Sequence, residues 1–593
     1  DNSTVVEDRW NDSETTGARA SLRWDINDRW AATFSASFQD TDSGADNYYD
    51  PYVGDLKTVR FNDEWTTDKF NLYSFTLDAD LGFAQLVSAT SYYDRKHSYQ
   101  VDSTTYAHYW AASYCRDSAY TAADAPYYWT NPDTGYVVWW PVYCQGSTVD
   151  GDFFNASKLN AQQDKFTQEI RLSHQGDNFD WIVGLYYEES LDAWQSSFAG
   201  PTNAAGENVY QQSISLNFWE WYFSNYYGTP VTYPDAASHW YSDSRTDWEQ
   251  KAIFGETTWH INDQLDLTIG GRYFDRSNTN RYYVNHPGGF NNAGEPAITD
   301  PELRAARLAT GQVPGRTGRD KEFIPKVSLS YAFEDNKLMY GLYTRGKRPG
   351  GINRTRGQPF FPANYESDLM DNYEIGYKSL FGDGAGRFNA TAYHMVWSDY
   401  QLELVDPSSA VCDASGPDEI PGVCGQPWQR VVANAGKAQI TGGNIELDFA
   451  LSESWTVGMN AEVMQAETDT EQDLNGDGTN NLVAGLRLPV VPKFKAAAWA
   501  EYHWPVDWNG QKDAFIRTQW SYTGDTLNIL EPLSPGDDPN PQFKNDAYAI
   551  GDIRAGLTGE DWEVSVFINN VTDERAQYTH ADGLFDWSSV SVT

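Results

Sequence analysis

Residues Asp180 to Glu189 read DWIVGLYYEE. In an extended chain, Trp181, Val183, Leu185 and Tyr187 fall on one side, and Ile182, Gly184, Tyr186 and Glu188 on the other. Period-two alternation of this kind sets one face against apolar surroundings and the other against polar groups. The pattern returns at Asp561 to Asn569 (DWEVSVFIN), where Trp562, Val564, Val566 and Ile568 oppose Glu563, Ser565, Phe567 and Asn569. A third run lines up Phe494, Ala496, Ala498, Ala500, Tyr502 and Trp504 on one side. Between such runs, tight turns alternate with long polar segments. That arrangement predicts an all-β fold, a transmembrane antiparallel β-barrel with short periplasmic turns and long extracellular loops. In this register Trp181, Val183, Leu185, Tyr187, Trp562, Val564, Val566 and Ile568 face lipid, while Glu188, Glu563 and Asn569 face the lumen.

Composition supports a barrel over a soluble multidomain protein. The chain has 593 residues and no linker divides it, so 1–593 reads as a single domain. Only 40% of residues are hydrophobic, and the mean hydropathy is −0.62. No apolar stretch approaches the roughly 20 residues of a membrane helix, and no 3.6-residue stripe persists beyond about two turns. Aromatic residues reach 15%, with 24 Trp and 38 Tyr, which suits interfacial girdles and aromatic-lined outer loops. The net charge of −42 argues against nucleic acid, which selects basic surfaces. Outer-membrane lipid and lipopolysaccharide are the expected surroundings, with loop carboxylates solvated or bridged to that leaflet by divalent cations.

Nine tight turns are expected, at 26–28, 80–82, 176–178, 261–263, 334–336, 382–386, 452–454, 509–511 and 558–560, where Asn, Asp and Gly would supply the positive φ that such turns require. Nine turns imply about eighteen strands. The long exterior segments fall at 103–161, 197–245, 286–318, 407–428 and 527–545. Both ends of the chain then lie in exterior loops, which leaves two open sheet edges that a membrane does not tolerate. The expectation is an incomplete barrel, and a mature or partial chain, since no leader peptide is visible.

Four segments carry a family resemblance. Lys165 to Glu189, Tyr340 to Asn353 (YGLYTRGKRPGGIN), Asp371 to Lys378 (DNYEIGYK) and Val564 to Glu574 (VSVFINNVTDE) resemble, in order, hairpin phrases of TonB-dependent outer-membrane receptors. The resemblance implies a 22-stranded barrel in the outer membrane of a Gram-negative bacterium. It implies an N-terminal plug through which the TonB protein delivers energy, and import of a scarce bulky nutrient. Plug, energy-coupling motif, three early strands and the last strand are missing from the stretch at hand. A ferric siderophore is the first expected ligand, an oligosaccharide or other organic ligand the second, and a passive substrate-specific porin the rival class.

Ligand candidates come from two residue types. Tyr127, Tyr128, Trp129, Trp139 and Trp140 form one aromatic cluster, and Trp219 and Trp221 head a second. Clustered rings offer contact area at low entropy cost, although loop packing uses the same residues. Arg345, Lys347, Arg348, Arg354 and Arg356 form a dense basic cluster that would focus an anionic ligand, unless wall or plug carboxylates neutralise it. Cys115 with Cys144 and Cys412 with Cys424 are locally paired in long loops, as disulfides of an oxidising compartment would be.

Metal and catalytic signals are weak. Asp473, Asn475 and Asp477 open a calcium-loop pattern, yet Ala484 stands where the twelfth-position glutamate belongs, so a plain Asp/Gly turn is favoured. Nine scattered His lack metal spacing, and neither a GxSxG nor a phosphate-binding loop occurs. No enzyme activity is expected and no cofactor is required; iron enters only as part of a transported ligand.

Overall fold

A computed structural model describes residues 9–45, 48–49, 54–60, 62–103, 129–130, 137–138, 156–199, 238–285, 298, 300–334, 336–354, 361–405, 430–474, 478, 480, 482–507, 511–527, 544–580 and 590–592. Eighteen long strands build one antiparallel sheet. They are β1 (Ser13–Asn27), β2 (Trp30–Ser43), β3 (Trp65–Asp80), β4 (Gln85–Asp102), β5 (Ala156–His174), β6 (Phe179–Ala199), β7 (Ser238–Asn262), β8 (Leu265–Asn285) and β9 (Arg316–Glu334). The second half comprises β10 (Lys337–Arg348), β11 (Asp368–Phe381), β12 (Gly386–Ser398), β13 (Lys437–Ala450), β14 (Trp455–Thr468), β15 (Phe494–Asp507), β16 (Gln511–Thr523), β17 (Tyr548–Thr558) and β18 (Glu563–Ile568). Each strand pairs with its neighbours in sequence, an up-and-down meander. All nine expected turns fall between consecutive strands.

The turns repeat one device. Asn27 Oδ1 accepts the backbone N–H groups of Arg29 and Trp30 at 2.9 and 3.1 Å. Asn262 does the same for Gln264 and Leu265, and the Ser452 hydroxyl for Ser454 and Trp455. At these turns the expected positive φ is absent at Asn27, Asn262 and Ser452, and a short polar side chain instead takes the place of backbone acceptors where the chain reverses. The longer turn after β11 instead uses left-handed backbone, at Gly382 (φ 61°), Asp383 (φ 56°) and Gly384 (φ 91°).

Register shows how alternation becomes a membrane face. Leu185, Ile253, Tyr273 and Phe323 are direct cross-strand partners along β6 to β9, and are 58, 52, 44 and 53% exposed. A soluble protein would not leave such a row bare; a lipid-facing wall requires it. The opposite face is polar and mutually satisfied: Glu188 with Lys165 (3.5 Å), Glu256 with Lys326 (2.8 Å), and the Tyr393 hydroxyl donating to Glu462 (2.7 Å). Aromatic rings gather at the short-turn rim, where Tyr331, Phe333, Tyr377 and Phe388 contact in series and Trp455, Tyr502 and Trp504 stack beside them. These rings form the expected interfacial girdle.

Among the described residues, β1 and β18 each pair on one side only. All fifteen residues of β1 are exposed, and Val564 and Val566 of β18 are 63 and 73% exposed. The sheet nevertheless curls round, because Arg575 beyond β18 reaches Asp55 beyond β2 at 3.1 Å. The backbones of Val590–Val592 and Tyr48–Tyr49 also pair.

One expectation needs correction. Residues 156–161, 197–199, 238–245 and 316–318, expected in loops, are strand, and β7 alone runs 25 residues. A membrane needs only about 9–11. Above the membrane both strand faces meet polar surroundings, and the apolar half of the alternation disappears. A nine-residue helix, α1 (Pro301–Ala309), lies in one exterior segment, capped by Asp300. No described helix is long and apolar enough to cross a membrane.

Candidate ligand vestibule

Where β6, β7 and β8 project beyond the membrane wall, their lumen-side residues include Trp194, Ser242, Trp248, Arg276 and Tyr282. Facing them are two ribbons folded in from exterior segments, Gly351–Ile352 with Asn364–Tyr365, and Gln401–Val405 with Arg430–Asn434. The ribbons are held firmly. Asn353 donates to the carbonyl of Val432 (2.8 Å) and accepts from its N–H (2.8 Å), and Gln401 donates to the carbonyls of Pro349 and Glu366 (3.0 Å each). Leu402, Leu404, Ala433, Ala435, Ala438, Ala466, Leu474, Leu482 and Leu488 pack beneath as a local core.

The basic cluster divides on this frame. Arg345 forks onto Asp371 at 2.8 and 3.0 Å, and Tyr343 donates to the same carboxylate at 2.8 Å. Lys347 is sealed between strands, its Nζ 2.5 Å from Asp320 and 4.8 Å from the Phe274 ring centre. Arg348 grips Asp368 at 2.5 and 2.9 Å and donates to the carbonyl of Gln401. For these three, wall carboxylates already satisfy the charge, the structural alternative raised by the sequence.

Arg354 is different. Its guanidinium lies 4.3 Å from the ring centre of Trp194 and donates to the Ser242 hydroxyl at 3.3 Å. Among the described residues no carboxylate forms an ion pair with it, Glu403 acting only at longer range. The surrounding protein pushes its pKa below the usual guanidinium range, chiefly by desolvation, while the residue stays exposed. This is a cation held in an open mouth with an aromatic floor. Arg276 repeats the motif deeper, 4.1 Å from the Trp248 ring centre, with its buried Nε lacking a hydrogen-bond partner. It borders a cavity of about 50 Å³ that Asn278, Asp320, Asn364 and Tyr365 also line. Asp320 is already held by Lys347 and Ser367.

On the other face of the projecting strands α1 is clasped in place. Arg304 reaches Asp243 at 2.5 Å, donates to the Ile298 carbonyl at 2.9 Å and stacks 4.0 Å from the Tyr241 ring centre. Burial raises the Asp243 pKa against the opposing pull of Arg304 and pushes the Tyr241 hydroxyl up to about 12.

Several expected sites lie outside the described residues: Tyr127, Tyr128, Trp139, Trp140, Trp219, Trp221, Arg356, Asn475, Asp477 and all four cysteines. Of Trp129 only the backbone is described, paired with Val138. Asp473 accepts the Gly478 N–H at 2.8 Å, as an Asp/Gly turn does. No metal-type group of three or more ligands occurs among the described residues.

An antiparallel meander with an apolar outer face and a polar lumen defines a membrane-spanning β-barrel. Residues 114–571 match the model for the TonB dependent receptor-like β-barrel, and the chain belongs to that family. Among curated proteins, the pesticin receptor of Yersinia pestis is 22% identical over 415 residues, covering 69% of this chain and 47% of the relative. The chain spans about half the length of the curated relatives it matches. Among solved structures, the ferric yersiniabactin uptake receptor of Yersinia pestis superposes with a TM-score of 0.65 at 16% identity, covering 98% of this chain and 68% of that one. The ferric-catecholate import receptor of E. coli gives 0.61 at 13% identity, covering 98% and 74%. Barrels of this family are outer-membrane proteins of Gram-negative bacteria, and the family consists of receptors rather than enzymes.

Proposed function

We propose that this chain is the ligand-capturing barrel of an outer-membrane receptor that imports a ferric siderophore, energised by TonB through a plug. In this reading further strands close the two unpaired edges of β1 and β18. The observation that carries it is Arg354, an arginine with no carboxylate ion-pair partner among the described residues, laid on Trp194 at the mouth of an otherwise acidic protein. An anionic chelate with a flat or aromatic ligand shell satisfies both groups at once, by charge-assisted hydrogen bonding and by stacking. Relatives named for uptake of ferric yersiniabactin and ferric catecholates support the same ligand class. A neutral oligosaccharide would use the tryptophan face and leave the guanidinium uncompensated.

The test compares ferric-chelate binding by the full-length receptor and its Arg354→Gln and Trp194→Ala variants. A charge-assisted contact contributes about 1.5–3 kcal/mol, so Arg354→Gln should weaken an anionic chelate by roughly 10- to 150-fold. Unchanged affinity in both variants refutes the assignment.

A further inference from the structure

The deeper arginine–tryptophan pair of the vestibule differs from the outer one in what surrounds it. Trp194 pairs with Ser244 across β6 and β7, and Trp248 pairs with Ser190. Ser244 and Trp248 are four residues apart on β7, so both rings share the lumen face, with Trp248 nearer the membrane. At roughly 3.4 Å per residue the two pairs lie about 13 Å apart along the strands. Arg276 stands opposite Gln250, two residues deeper, and leans back over the Trp248 ring at 4.1 Å. Its buried Nε has no acceptor, and among the described residues the guanidinium makes no hydrogen bond or ion pair. The carboxylates of its own row are already engaged. Glu188 accepts from the Tyr186 hydroxyl at 2.6 Å and pairs with Lys165 at 3.5 Å, and Asp320 takes Lys347 and the Ser367 hydroxyl at 2.5 Å each. Both act on Arg276 only at longer range. With Glu322 3.8 Å from Lys347, three cations meet three carboxylates, so net charge selects nothing. What the site lacks is an acceptor.

The cavity beside Arg276 has Asn278 and Gly318 of the wall on one side, and Gly351, Asn364 and Tyr365 of the inward ribbon on the other. Its volume is about 50 Å³, against about 150 Å³ for a cavity that holds a benzene ring. A single carboxylate fits, and an aromatic ring or an iron centre does not. We propose that this cavity is a second, deeper subsite that takes a carboxylate arm of the captured chelate. This rests on the ferric-siderophore reading and narrows its ligand class. Arg354 and Trp194 hold the anionic, iron-bearing body, and Arg276 forks onto a carboxylate about 13 Å further in. A guanidinium presents paired N–H donors that match the two oxygens of a carboxylate, and the unsatisfied Nε supplies one of them. The Trp248 face keeps that fork in place. A symmetrical chelate without an arm would leave Nε without an acceptor. The ligand is therefore an unsymmetrical chelate with a pendant carboxylate.

The experiment uses the full-length receptor in mild detergent with two synthetic ferric tris-catecholate chelates as probes. They are alike except that a spacer of about 13 Å ends in a carboxylate in one and in a primary amide in the other. Tryptophan fluorescence quenching reads affinity, and heat-modifiable migration on gels confirms the folded barrel. Charge-assisted bonds are about twice as strong as neutral ones, so wild type should prefer the carboxylate probe roughly tenfold. Arg276→Gln should abolish that preference, whereas Arg354→Gln should weaken both probes and preserve it. Equal affinity of wild type for the two probes overturns the proposal without any variant. An undiminished preference in folded Arg276→Gln overturns it too. If wild type binds neither probe, the ferric-chelate reading fails and the proposal with it; a missing preference alone leaves that reading standing.

Discussion

Replacing Val183 by arginine tests the membrane face quantitatively. Val183 lies midway between two rows, Phe179–Trp259–Leu267–Leu329 near the short turns and Tyr187–Lys251–Asp275–Lys321 at the exterior border. Eight residue steps separate those rows, about 27 Å along the strand at roughly 3.4 Å each. With a strand tilt of about 40°, that corresponds to roughly 20 Å of height, close to the apolar band of such barrels. Val183 is thus near the midplane and is 42% exposed, with space for a side chain to reach lipid. An arginine there should cost about 2–4 kcal/mol, while Tyr187→Arg, on the same face at the border, should cost about 0–1 kcal/mol. The assay is reversible denaturant unfolding from lipid vesicles with the full-length protein. Equal costs at the two positions, or none at Val183, would mean that this face does not meet lipid.

Other outcomes follow from the same structure. Arg304→Ala leaves Asp243 buried with Gln195 as a remaining donor (3.1 Å), so α1 should detach at a local cost of about 3–5 kcal/mol. Hydrogen exchange in 300–310 should rise while the wall strands stay protected; unchanged protection would show that the clasp contributes nothing. The double replacement Arg304→Met, Asp243→Leu should recover most of that protection, since a buried pair is replaceable by apolar groups of similar volume. Peptide mapping without reductant should find Cys115 joined to Cys144 and Cys412 joined to Cys424, and free thiols at these positions would sink that pairing.

How much was legible in the sequence depended on where alternation survived. Asp180 to Glu189 displays both faces because Val183 and Leu185 meet lipid while Glu188 meets Lys165 of the adjacent strand on the lumen face. The short turns were readable because Asn, Asp, Gly and Ser mark chain reversals, as the side-chain acceptors Asn27, Asn262 and Ser452 demonstrate. The exterior half of β7 was not readable: Ser242, Asp243 and Ser244 are polar on both faces, and a strand without an apolar side looks like a loop. In the basic cluster the sequence gathers five cations without separating them. Only the fold brings Asp371, Asp320 and Asp368 against Arg345, Lys347 and Arg348 and leaves Arg354 on Trp194. Trp194 and Trp248 read as ordinary wall residues, since their cationic partners arrive from β8 and from a distant loop.

Native mass spectrometry of the full-length receptor, isolated from iron-limited cells without added ligand, tests the central claim most directly. The account predicts a co-bound species that contains iron, carries net negative charge, and is lost or strongly reduced in Arg354→Gln. A co-bound neutral oligosaccharide free of iron, retained undiminished by Arg354→Gln, would contradict it.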